Sequence, residues 1–194
     1  MLSERRIGRK VSQMAGNNSL GYVIVEGMEG QFRGASLVVD FRGIPMDFRY
    51  TDPIRPSKLE RILYGSALDV YLREELILES LLSAVETKPL VWVCREGDLL
   101  QPLKTIGKGK AIFLAPSNSA PLEAAGEVEA TGEAGIYMLQ ADSLSAPLRA
   151  SLPSGSRPEE MQELSRILVE AAETMELLEP FGRIQKALTS LGEE

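Results

Sequence analysis

Five consecutive apolar residues, Leu90-Val91-Trp92-Val93-Cys94, stand between Pro89 and the polar string Arg95-Glu96-Gly97-Asp98. A short, uninterrupted run with β-branched and aromatic members predicts a central strand covered on both faces, in the manner of a parallel strand. Such a strand requires paired neighbours and two covering layers. Upstream, residues 21–26 are rich in Val, Ile and Tyr and run into a loop holding Gly27, Gly30 and Gly34, which predicts a first strand. In the next, over about residues 35–41, Leu37, Val39 and Phe41 share a face because side chains alternate. Past the Arg42-Gly43 turn, Met46, Phe48 and Tyr50 alternate with Asp47 and Arg49. Three strands joined this closely predict an antiparallel meander.

The layers follow in sequence. Pro53 and Pro56 bias the residues before them away from helix. Ser57-Lys58-Leu59-Glu60 then has the form of a capping box, predicting a short helix over 58–64 that Gly65 stops. A longer helix over 67–86 carries Leu68, Tyr71, Leu72, Leu78, Leu81, Leu82 and Val85 as an apolar stripe. The ~40 residues between the third strand and the apolar run leave room for a right-handed crossover into a parallel neighbour.

Residues 111–115 and 135–140 read as further strands, and the Ser-, Pro- and Gly-rich stretch 143–157 as a linker. Met161, Leu164, Leu168, Ala171, Met175 and Leu178 then fall at alternating spacings of 3 and 4, the seam of a heptad repeat, with Glu163, Glu170 and Glu173 outside it. Pro180 closes this helix, and Ile184 and Leu188 mark a second one over 181–191. The predicted class is α/β: a mixed sheet begun by an antiparallel three-strand meander, with a crossover helix and a C-terminal helical hairpin. The predicted organisation is a flexible basic arm at 1–18, a core at 19–142, a linker at 143–157 and an acidic helical segment at 158–194.

Two absences limit the chemistry. The 194 residues contain no His and one Cys, Cys94. Ser-His and Cys-His nucleophiles, the usual Cys/His zinc sites and any internal disulfide are thereby excluded. No stretch reaches the ~18 consecutive apolar residues of a membrane helix, and the start of the chain lacks the apolar core of a signal peptide, so a cytoplasmic location with no membrane partner is expected. The net charge of −7 is unevenly spread, because residues 111–148 contain no Lys or Arg while Glu123, Glu127, Glu129, Glu133 and Asp142 are all acidic. That balance gives no support to a diffuse nucleic-acid surface, which needs clustered cations. Two local basic clusters remain, Arg5, Arg6, Arg9 and Lys10 on the arm and Arg42, Arg49, Arg55, Lys58 and Arg61 around the two prolines.

The leading expectation is therefore a non-catalytic cytoplasmic interaction module or assembly subunit, without a cofactor. Its heptad helix would dock a protein partner or a second copy through Met161, Leu164, Leu168, Met175 and Leu178.

A second reading comes from element order. The predicted β-β-β-α-β succession over about residues 20–98 is similar to the opening of ribonuclease H-like nucleases. The resemblance implies a divalent-metal-dependent phosphodiesterase in which strand-end carboxylates hold Mg²⁺, and here the candidates are Glu26, Glu75 and Asp98, with Glu74 and Glu96 beside them. The departure lies in the first strand, where no Asp occurs. A third reading places an anion at the Pro53–Pro56 loop and the helix start after it, with Arg49, Arg55, Lys58 and Arg61 as donors. Gly107-Lys108-Gly109-Lys110 resembles a phosphate loop only in composition, because a strand rather than a helix is predicted after it.

Overall fold

The computed structural model describes residues 2–3, 18–28 and 30–192. The basic cluster Arg5, Arg6, Arg9 and Lys10 lies outside the described residues.

The strands are β1 (Leu2–Ser3), β2 (Ser19–Met28), β3 (Gln31–Asp40), β4 (Pro45–Thr51), β5 (Val91–Cys94), β6 (Lys110–Ala115), β7 (Val128–Ala130), β8 (Ile136–Leu139) and β9 (Leu148–Ser151). They form one mixed sheet in the order β1-β4-β3-β2-β5-β6-β9-β8-β7. The three antiparallel strands β2, β3 and β4 begin it as predicted, and β5 then pairs parallel with β2, from Leu20↔Val91 to Val23↔Cys94, and with β6.

All four residues of β5 are buried. Val91 and Val93 point into one core and Trp92 and Cys94 into the other, the two-faced burial that its unbroken apolar run requires. Trp92 also explains Gly21 on the neighbouring strand, where a Cβ would stand 2.5 Å from the indole ring.

One face of the sheet is covered by a helical run after the prolines. It comprises α1 (Lys58–Tyr64), a 3₁₀ turn at Gly65–Ala67, α2 (Leu68–Val70), a π-helical segment at Tyr71–Leu78 and α3 (Glu79–Ala84). Ser57 caps α1 reciprocally with Glu60, as the sequence motif requires. Leu68, Leu72, Leu78 and Leu81 of the predicted stripe pack with Val23, Val25 and Val38 of the sheet. The π-helical widening was not predicted, because side-chain periodicity over eight residues does not separate a π-helix from an α-helix. A further helix, α4 (Leu100–Gly107), crosses from β5 to β6 on the same face. It ends at Lys108 in a left-handed conformation, so the Gly-Lys-Gly-Lys string is a helix C-terminus and a strand start, with no helix N-terminus for a phosphate.

The other face is covered by α5 (Pro158–Ala172) and α6 (Glu179–Leu191). Met161, Leu164, Leu168 and Ala171 are buried against Leu20, Tyr22 and Ile24, and Met175 and Leu178 pack at the edge of the same core. The heptad seam is thus filled by the chain's own sheet and offers no docking face. It also ends early: α5 stops at Ala172, and Thr174 donates its hydroxyl to the Phe41 carbonyl at 2.5 Å, anchoring the turn into α6.

Within the Ser/Pro-rich stretch, Leu148–Ser151 is strand β9, inserted between β6 and β8. Its four residues are too few to show a period against the surrounding prolines. In β4 the expected polar side is buried as well, because Asp47 and Arg49 form an ion pair at 2.8 Å beneath the end of α3. Met46, predicted on the apolar side, is instead 42% exposed.

Candidate active site at the carboxyl ends of β2 and β5

In open α/β sheets, ligands bind beyond the carboxyl ends of the parallel strands. Here β2 runs past β5, since Cys94 is level with Val23 while β2 continues to Met28 in its hairpin with β3. The step so formed is lined by ionisable side chains from four elements.

Arg73 comes from the π-helical segment. Its guanidinium donates to both Asp98 oxygens, at 2.5 and 3.4 Å, and to the Val25 carbonyl at 3.3 Å. Glu96, just past β5, accepts from Arg95 Nε at 3.2 Å, and Arg95 donates onward to the Gln185 side chain of α6 at 2.7 Å and lies over the Phe181 ring. Gln185 in turn donates to Glu26, whose other oxygen accepts from Arg33 at 2.6 Å. Two hydrogen-bonded sets, one on Arg73 and one on Arg95, are thus coupled by the charge of Arg73 acting on Glu96 into an electrostatic network that joins the ends of β2 and β5 to both helical layers. Two of its atoms are buried without a partner, the donor Nε of Arg73 and the acceptor Oε2 of Glu96.

Burial raises the Glu96 carboxyl above the usual carboxylate range, against the pull of Arg95 and Arg73. Glu74 is raised too, by burial and by the negative charge of Asp98. The Cys94 thiol is pushed far out of the physiological range by burial, with Glu96 and Asp98 adding to the shift, so it is neither a nucleophile nor a metal-binding thiolate. The step can accordingly hold an anionic group on guanidinium donors beside a carboxyl group able to exchange a proton.

The carboxylates expected to hold a divalent ion are placed apart. Glu26 is paired with Arg33 and Asp98 with Arg73, while Glu75 points outward, exposed, from the π-helical segment. Among the described residues no three His, Cys, Asp or Glu side chains come together as a metal-binding group. The inner ends of the two parallel strands carry Val23, Val25 and Cys94, all buried in the apolar core. The residues present do not fit a carboxylate-held ion pair.

The four expected anion donors are divided as well. Arg49 is buried under α3 on Asp47, with Glu86 at 3.7 Å. Arg55 bonds the Gln31 side chain and Arg61 the Gly30 carbonyl, so both clasp the tip of the β2–β3 hairpin, and Lys58 is exposed at the start of α1. Beside them α1 exposes Leu59, Ile62 and Leu63 by 63–71%. Hairpin tip and α1 form a rim on the same end of the sheet as the step. Arg73, Arg95 and Gln185 were not identifiable from sequence. Arg73 is one of several polar residues outside an apolar stripe, and the link from Arg95 to Gln185 spans 90 positions.

No family model and no curated protein matches the chain. Solved structures do share its fold. The Endonuclease V of Streptomyces avermitilis is similar with a TM-score of 0.57 at 16% identity, over 90% of this chain and 82% of that one. Human Endonuclease V gives 0.56 at 14%, over 90% and 91%. Ciona intestinalis Endonuclease V, in complex with a 24mer DNA containing an inosine followed by a ribo-adenosine, gives 0.55 at 11%, over 89% and 87%.

At these identities the likeness is one of fold, and it corrects the leading expectation. A non-catalytic interaction module or assembly subunit with a protein or second-copy partner is overturned by a fold held in common with nucleases, one of them bound to DNA, and by the burial of the heptad seam. Among the described residues no helix is long and apolar enough to cross a membrane.

Proposed function

We propose that this chain is a nucleic-acid-directed phosphodiesterase that meets its substrate at the carboxyl ends of β2 and β5. The observation that carries the reading is the Arg73–Asp98 and Arg95–Glu96 network set at that step, in a fold shared with Endonuclease V structures.

In this reading Arg95, whose side chain is 36% exposed, takes a phosphate oxygen, and Arg73 holds positive potential behind it. The raised carboxyl group of Glu96 keeps its proton closer to neutrality than an ordinary Glu, which suits it to protonating a leaving oxygen. The Ciona neighbour's DNA supports a polynucleotide as the substrate class. A cytoplasmic location is part of the proposal, consistent with a single buried thiol.

The test is hydrolysis of end-labelled single- and double-stranded DNA and RNA, with and without inosine, in Mg²⁺, in Mn²⁺ and in EDTA. The wild-type chain is expected to cleave at least one of these, and Glu96→Gln to slow cleavage by about 100-fold or more, the usual share of a proton-transfer group. Intact substrates under all conditions would overturn the reading.

A further inference from the structure

Where carboxylates would have to converge on an ion, a guanidinium group is already in place. Arg73 lies between the two parallel strands' ends, held by the Val25 carbonyl of β2 on one side and by both oxygens of Asp98 beyond β5 on the other, with Glu96 within electrostatic range. Its donors point toward the same kinds of oxygen, carbonyl and carboxylate, that a hard cation takes. The side chain is only 24% exposed, and the stem leaves the sheet-facing π-helical segment, so the group is fixed in position by packing.

We propose that Arg73 is a built-in cation at this site, and that polynucleotide binding at the step is independent of divalent metal. The inference rests on the nucleic-acid reading above for its ligand but makes a separate claim about metal. An Arg cannot lose its proton at any physiological pH, so its charge is permanent. A divalent ion entering the same position would meet that charge at close range and would have to displace it from Asp98. The pairing of Glu26 with Arg33 occupies the carboxylate at the end of β2 in the same way.

Two measurements on the full chain separate the claims. In the first, Mn²⁺ alone is titrated without nucleic acid, and free ion is followed by electron paramagnetic resonance. No stoichiometric site in the micromolar range is expected for the wild type, and Arg73→Gln, which frees Asp98, is expected to bind Mn²⁺ more tightly than the wild type. A stoichiometric micromolar site in the wild type would overturn the proposal. In the second, a fluorescent single-stranded oligonucleotide is titrated in EDTA and in Mg²⁺, and its anisotropy recorded. Equal affinity in the two buffers is expected, with a loss of about tenfold or more in Arg73→Gln, which removes the fixed positive charge behind the phosphate and leaves Asp98 unneutralised beside it. Arg73→Lys, which keeps the charge and is gentler on folding, is expected to retain more affinity than Arg73→Gln. Binding that appears only with Mg²⁺ would overturn the metal claim. Absence of binding in both buffers would instead contradict the nucleic-acid reading, and the Mn²⁺ titration would still decide the role of Arg73.

Discussion

Tyr22 of β2 and Phe181 of α6 meet edge to face, with ring centroids 5.2 Å apart and planes at 86°. The contact joins the sheet's middle to the C-terminal pair of helices, and both rings are almost fully buried. The acidic C-terminal segment is therefore one wall of the core, and its removal would expose Leu20, Tyr22 and Ile24 together.

Phe181→Ala is expected to cost about 3–5 kcal/mol, combining lost burial, a cavity and the lost ring contact. Urea denaturation followed by circular dichroism reads it as a lower midpoint with little change in slope. A cost below about 1 kcal/mol, well short of a core cavity, would contradict this placement of α6.

Asp47 accepts from Arg49 at 2.8 Å and from the Glu86 backbone N–H at 2.8 Å, under the end of α3. Asp47→Ala leaves a guanidinium that is 6% exposed without its main partner, and a loss of about 3–5 kcal/mol is expected. Replacing both together, as Asp47→Leu with Arg49→Met, is expected to recover most of it. Equal losses in the single and double variants, again by urea denaturation, would contradict a buried pair.

The raised Glu96 carboxyl makes a pH-dependent contribution whose sign is fixed. In the unfolded chain Glu96 ionises in the ordinary carboxylate range, whereas in the folded chain it holds its proton to higher pH. Stability contributed by the protonated group is therefore complete in acid and lost as pH rises through the folded value. Glu96→Gln, which mimics the protonated form, is expected to match the wild type near pH 4 and to be the more stable of the two at neutral pH. Thermal melts across that range check it, and a wild type that is more stable at neutral pH would refute the direction.

Much of the fold was legible because it is written in side-chain period. The unbroken run at 90–94 located the two-faced strand, Ser57 and Glu60 located α1, and Leu37 and Val39 located one buried face of β3. What escaped was set by distant contact. The seam from Met161 to Leu178 is the same pattern whether it faces a partner or its own sheet, and only the presence of an apolar sheet face opposite it decides. β9 is held by its two neighbours rather than by any pattern in its four residues. At the site, Glu26, Glu96 and Asp98 were recognisable as strand-end carboxylates, with Glu75 expected beside them but exposed, whereas their partners Arg33, Arg95 and Arg73 were not, because the fold rather than any spacing makes those pairs.

The most direct test of the account is where a polynucleotide touches the chain. Amide hydrogen exchange of the full protein, with and without a single-stranded oligonucleotide at saturating concentration, reads this by segment. Slowed exchange is predicted around residues 24–28, 73–76 and 95–99, the three segments that frame the step. Protection confined to the opposite end of the sheet, around residues 40–45, or no protection at all, would contradict a polynucleotide site at the carboxyl ends of β2 and β5.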